Sequence, residues 1–237
     1  RQAIGYAIDR DAIVRYLRRG LAQPAVSILP TVSWAFDPDV FTFTHDPAKA
    51  RRLLDEAGFP DPDGPGPLPR FHLSLKVSNN EFYRLQATVL QQDLAQVGIA
   101  VDIRTYEFAT LYADVLRGAF QMYTMQWVGV TDPDMLRRVF ASDQVPPSGF
   151  NRGYFENPDV DRLIARATVA TDEAQRRRLY GQIQQIVARD APYISLWYQT
   201  NAVVAQADLR GLHPDPRGGF AFLQDVYRAA APAVASR

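Results

Sequence analysis

Between Phe71 and Val128 the spacing of the apolar residues changes period four times, and this restricts the fold more than any other feature. Phe71, Leu73, Leu75 and Val77 alternate with His72, Ser74 and Lys76, the period of two of a strand. After Ser78-Asn79-Asn80 the apolar residues fall at Phe82, Leu85, Val89, Leu90, Leu94 and Val97, which is helical spacing, and Gly98 stops the run. Ile99, Val101 and Ile103 alternate again. Residues 108–117 read as a short helix closed by Gly118, and Phe120 to Val128 is apolar enough for a buried strand. Strand, helix, strand, helix, strand points to an α/β fold with a parallel or mixed sheet flanked by helices. Ligands of such sheets sit at the carboxyl ends of the strands.

Helices surround this unit. Gln2 to Ile8 is helical in pattern, and Asp9 caps a short helix carrying Ile13, Val14 and Leu17. Residues 21–45, with Pro24, Pro30 and Pro38, read as irregular. Asp46-Pro47 is an N-cap acceptor followed by proline at the first helical position, and Gly58 ends that helix. Residues 60–69 form a loop rich in proline, glycine and aspartate. Asp132-Pro133 starts a further short helix, and residues 141–153 form a polar loop. Asn157-Pro158 and Thr171-Asp172-Glu173 start two more helices, the second broken at Ala191-Pro192. Ile194 to Tyr198 and Ala202 to Gln206 read as strands. A short strand near Asp225 to Tyr227 and an alanine-rich tail, expected to fray, complete the chain.

Composition narrows the classes. With 237 residues, 47% hydrophobic, a large core is available without metal or disulfide support. Formal net charge is zero, which gives no footprint for nucleic acid or an anionic membrane. The absence of cysteine removes thiol chemistry. The chain opens at Arg1, directly into a helical pattern, so upstream residues, with any export signal, are expected to be missing.

Six segments taken in order resemble the family 5 extracellular solute-binding proteins. They are residues 1–10 (RQAIGYAIDR); 46–59, from Asp46-Pro47 to Ala57-Gly58-Phe59; 94–99 (LAQVGI); 127–133 (WVGVTDP); 157–161 (NPDVD); and 190–196 (DAPYISL). The resemblance spans nearly the whole chain but only the C-terminal half of a typical member. It implies a two-lobed periplasmic binding fold. Residues 1–191 correspond to the second lobe, and residues 192–237 to the return hinge crossing and an extension belonging to the absent first lobe. The function implied is capture of a peptide or peptide-like solute in an interlobe cleft, with delivery to the permease of an ABC import system. No cofactor, metal or nucleic acid is implied. The protein is expected to be a periplasmic or extracellular monomer, attached to the membrane only through the permease or an upstream lipid anchor.

The resemblance also indicates where ligand would lie. One place follows the strand ending at Val77, with Ser78, Asn79 and Asn80; the other follows Val128, with Trp127, Val128, Gly129, Val130 and Asp132. Dipeptide-binding relatives hold the ligand's amino group with an aspartate three residues after the motif tryptophan; here that position is Val130. They hold the carboxylate with an arginine near positions 76–80; here Lys76 is the cation available, and its alternation suggests a solvated face. A longer peptide gripped by backbone, or a different solute, therefore fits better than a free dipeptide. Tyr123 reads as core and Trp127 as either core or ligand platform. Asp132 reads first as a helix cap. Asn151 and Arg152 lie in the polar loop, where they could close over the cleft.

Two other classes compete. An enzyme would need a reactive constellation, but His45, His72 and His213 lack metal-ligand spacing. Neither a nucleophile elbow nor a phosphate-binding glycine loop occurs. The other class is a transcription regulator that uses the same fold to sense a solute.

Overall fold

The computed structural model describes residues 1–64 and 66–229. Its centre is a parallel sheet of β2 (Phe71–Ser78), β3 (Ile99–Tyr106) and the short β4 (Met122–Tyr123), in the order β3–β2–β4. β2 pairs along its whole length with β3, from Phe71 opposite Ile99 to Ser78 opposite Tyr106. The crossover is α4 (Glu81–Ala95). The side chain of Asn80 starts this helix by accepting the backbone N–H of Phe82 at 2.9 Å. Ala87, Leu90 and Leu94 point its apolar stripe at the sheet, against Leu75, Val77 and Ile99. Helices α1 (Gln2–Ala7) and α3 (Pro47–Glu56) extend the same core through Tyr6, Ala50 and Leu54.

A second core is helical. α6 (Met135–Phe140), α7 (Pro158–Val169) and α8 (Glu173–Asp190) bury Leu136, Phe140, Val160, Ile164, Leu179 and Ile183 together. The caps follow the side-chain chemistry of their residues. Asp46 accepts from Lys49 N–H, Asn157 from Asp159 and Val160, and Asp172 from Gln175. Ala191, left-handed at φ 50°, ends α8.

Three expectations need correction. The segment from Phe120 to Val128 contributes only β4 (Met122–Tyr123) to the sheet, and Val128 is 82% exposed. β4 is an edge strand. After the Thr124 N–H bonds to Lys76 O at 3.3 Å, the chain leaves the sheet, so its apolar residues line a loop instead. Ala202 to Gln206 forms no strand, because no described segment pairs with it, and Val204 is 98% exposed. Residues 21–45 are not wholly irregular. β1 (Ala22–Pro24) pairs antiparallel with β5 (Trp197–Gln199), a strand shifted a few residues beyond the Ile194–Tyr198 expectation. That junction is clipped by Arg10, whose guanidinium donates to the carbonyls of Ala25, Phe43 and Ser195. Farther on, β6 (Leu209–Arg210) pairs with β7 (Tyr227–Arg228), close to the expected strand near 225–227. Most of the alanine-rich tail, residues 230–237, lies outside the described residues.

Candidate functional site

The carboxyl ends of β2, β3 and β4 meet at one edge of the sheet, because the three strands are parallel. This edge carries the residues singled out by sequence. Ser78 is buried at the last position of β2, while Asn79 and Asn80 are exposed beyond it. Asn79 is held by its backbone N–H, which donates to Tyr106 O at 2.7 Å. Its amide side chain stays in solvent. The carbonyl of Asn80 is occupied as the α4 cap, which leaves its amide nitrogen for other partners.

The second place is the loop from Thr124 to Asp134. Trp127 is half-buried, its ring tilted on Phe150 at 5.7 Å between centroids. Val128 and Gly129 are exposed and Val130 is partly buried against the helical core. Gly129 has φ +70° with no heavy atom within 4 Å of a built Cβ, so the turn demands glycine for conformation and not for space. Asp132 is exposed and accepts the Asp134 N–H at 2.7 Å, so its carboxylate organises the turn into α6. At the back of the loop, Gln86 is 1% exposed and donates its amide to Thr124 Oγ1 at 2.8 Å. Its carbonyl oxygen is buried without a partner.

Lys76 is neither solvated nor free. Its ammonium lies 2.7 Å from Asp114, which also receives Arg117 at 2.6 Å, and it sits over the Tyr106 ring at 5.2 Å. These two cations hold the Asp114 carboxyl below its ordinary range. With its charge matched inside the lobe, Lys76 is a poor receptor for a ligand carboxylate.

The polar loop after α6 departs from the open flap its composition suggests. Asn151 is 1% exposed, and its amide is spent on the loop itself. It donates to Ala141 O and Phe155 O and accepts from Phe155 N–H at 2.8 Å. That clasp turns the neighbouring residue inward, and Arg152 is 6% exposed. Its guanidinium lies over the rings of Trp127 at 4.6 Å, Tyr112 at 5.1 Å and Phe150 at 5.6 Å.

Beside this cluster the Tyr123 and Tyr193 hydroxyls share a hydrogen bond at 3.0 Å. Burial pushes both phenols above their ordinary pKa, so both are neutral near pH 7. Tyr123 is half-buried and belongs to neither hydrophobic cluster, with its hydroxyl tied to the segment that follows α8. Sequence reasoning missed Tyr112, Met125, Tyr193 and Gln86. For Gln86 a signal existed, since it shares the α4 stripe with Leu90 and Leu94, where a polar residue needs a reason. For the others, nothing local marks the meeting.

Residues 1–145 match the sequence profile described as bacterial extracellular solute-binding proteins, family 5 Middle. The chain belongs to that family. Among family 5 relatives, the glutathione-binding protein GsiB of Salmonella choleraesuis (strain SC-B67) is 33% identical over 232 residues. GsiB of Escherichia coli (strain K12) is also 33% identical over 232 residues. Both alignments take in 94% of this chain and 43% of the relative, so the chain spans less than half the length of these family 5 proteins. The fold agrees with solved structures. The oligopeptide-binding protein AppA from Bacillus subtilis, in complex with a nonapeptide, superimposes with TM-score 0.81 at 28% identity, covering 97% of this chain and 47% of AppA. HbpA2 from Haemophilus parasuis gives TM-score 0.83 at 26% identity, covering 97% and 44%. The family 5 chain described here is therefore an α/β part of a two-lobed binding protein, its sheet flanked by helices.

Proposed function

We propose that this chain supplies one wall of a solute-binding cleft in an ABC import system, and that the solute is a peptide or peptide-like molecule handed to a membrane permease. In this reading residues 1–191 form the second lobe. Residues 192–237 form the return crossing and the strands that complete the opposite lobe. The cleft face is the carboxyl edge of the sheet: Ser78, Asn79 and Asn80 on one side, and Trp127, Val128, Gly129, Val130 and Asp132 on the other, with Asn151 and Arg152 behind. Glutathione-binding and peptide-complexed relatives support a peptide-like solute and a periplasmic or extracellular location.

The observation that carries the reading is the exposed, glycine-turned loop at 127–132 beside the exposed asparagines 79–80, both at the carboxyl edge of a parallel sheet in a family 5 chain. Lobe closure over this edge would exclude water and strengthen each polar contact there. With Val130 in place of an acid and Lys76 paired to Asp114, neither of the two positions that hold a dipeptide's termini in dipeptide-binding relatives offers a free charge here. Calorimetry with glutathione tests the proposal. The complete two-lobed protein should bind and the isolated 237-residue chain should not. Micromolar binding by the isolated chain would contradict the half-cleft arrangement.

A further inference from the structure

We infer that Arg152 is the seat for a carboxylate on the captured solute, so that the protein selects solutes with a free carboxylate end, such as short peptides. The inference rests on the cleft reading above and narrows it.

The first observation is an unmatched charge. Arg152 is 6% exposed, yet no carboxylate of the described residues pairs with it. Its Nε is buried without an acceptor, Nη1 meets the Met125 sulfur at 3.9 Å, a weak acceptor, and the neutral Tyr123 hydroxyl also interacts with it. Guanidinium groups are costly to bury unless matched. Three aromatic faces recover part of that cost, but rings do not satisfy N–H donors. The tyrosines beside it do not supply a counter-charge, since burial keeps the Tyr123 and Tyr193 phenols neutral. Arg18 and Arg176 also lie over aromatic rings with an unpartnered Nε. Both side chains as a whole are only half-buried. Arg152 is the one of the three withdrawn from solvent.

The second observation is position. Arg152 stacks on Trp127, the residue where the chain leaves the sheet's carboxyl edge, and the Trp127 ring is itself half-exposed. A carboxylate arriving beside that ring would meet a guanidinium fork packed over Trp127 and Phe150, and guanidinium and carboxylate can pair bidentately. Met125 is the group it would displace, and an unbranched thioether moves readily. The neighbouring lysine does not compete, because Asp114 neutralises it. Of these two cations, Lys76 is ion-paired inside the fold and Arg152 is not.

The test compares glutathione with its diethyl ester by calorimetry on the complete two-lobed protein, as wild type, Arg152→Gln and Arg152→Lys. The wild type is expected to bind the acid about 10- to 100-fold more tightly than the ester, the range of a charge-assisted hydrogen bond. Arg152→Gln should weaken the acid by a larger factor than the ester and so close the gap between them, and Arg152→Lys should keep part of the preference. Equal binding of acid and ester by the wild type overturns the inference without any variant. So does an Arg152→Gln protein that keeps full affinity for the acid, or one that loses acid and ester by the same factor, the mark of a purely packing role. Failure of the wild type to bind either form sinks the peptide-capture reading and this inference with it. Binding that is indifferent to Arg152 sinks the inference alone.

Discussion

Asp93 is a carboxylate whose environment works against its own charge. It lies buried on α4 and accepts the Asp9 N–H at 3.0 Å, while Asp9 in turn faces His45 at 3.4 Å. Burial raises its pKa, with a further push from Asp9; the backbone bond and His45 oppose this. An acid with a raised folded pKa destabilises the fold above that pKa, and the cost fades as pH falls and the group is protonated. Asp93→Asn keeps an oxygen for the Asp9 N–H and removes the charge. It is predicted to raise the melting temperature near pH 8, with the gain shrinking toward pH 4, about the ordinary carboxylate value. Thermal melts of both proteins across that range check it, and a gain that grows at low pH would reverse the assignment. Asp114 has the opposite sign: with its pKa depressed by Lys76 and Arg117, its contribution is lost as pH falls.

Among the elements, the helices rest on caps and the caps on single residues. Asn157 starts α7 through Asp159 and Val160, and its amide also donates to Asp190 at 2.7 Å at the far end of α8. One side chain therefore fixes how the two helices meet. Asn157→Ala should cost about 1–2 kcal/mol, or a fall in Tm of about 3–6 °C for a domain of this size. Asn157→Asp, which keeps the cap but sets a second carboxylate against Asp190, should fall between. If the alanine and aspartate variants melt alike, the contact with Asp190 outweighs the cap. These caps were readable from the sequence, as were β2, α4 and β3, because caps and periodicity are local. Phe120–Val128 and Ala202–Gln206 were misread for the converse reason. A strand exists only if a partner lies beside it, and residues 125–128 and 202–206 pair with no described strand. The site divides the same way. The loop at 127–132 was legible from its motif and from the rule for parallel sheets. The Arg152 cluster draws on four stretches, at Tyr112, at Tyr123 and Trp127, at Phe150 in its own loop, and at Tyr193, and nothing in their spacing announces that they meet.

At the scale of the molecule the question is where this lobe's own fold ends. Every described residue from Gln199 to Ala229 is exposed or half-exposed, including Val204, Phe220, Leu223 and Tyr227. Up to that point the chain is tied in. β5 pairs with β1, the Tyr198 hydroxyl donates to Ser27 O at 3.0 Å, and Thr200 N–H bonds to Leu21 O at 3.3 Å. Beyond it, Asn201 bonds only forward, to Asp215 and Pro216, and β6 pairs only with β7. A segment that buries nothing against the lobe contributes little to its stability, since burial of apolar surface is the main favourable term. Removing residues 201–237 is therefore predicted to shift the Tm of the isolated chain by less than about 2–4 °C, the equivalent of 1 kcal/mol. The same cut should also lower self-association, by deleting exposed apolar side chains such as Val204, Phe220 and Leu223. Melting curves and sedimentation of the two lengths decide it. A large loss of stability on truncation would mean that the segment packs on this lobe after all, and the proposed division near residue 191 would have to move toward the C-terminus.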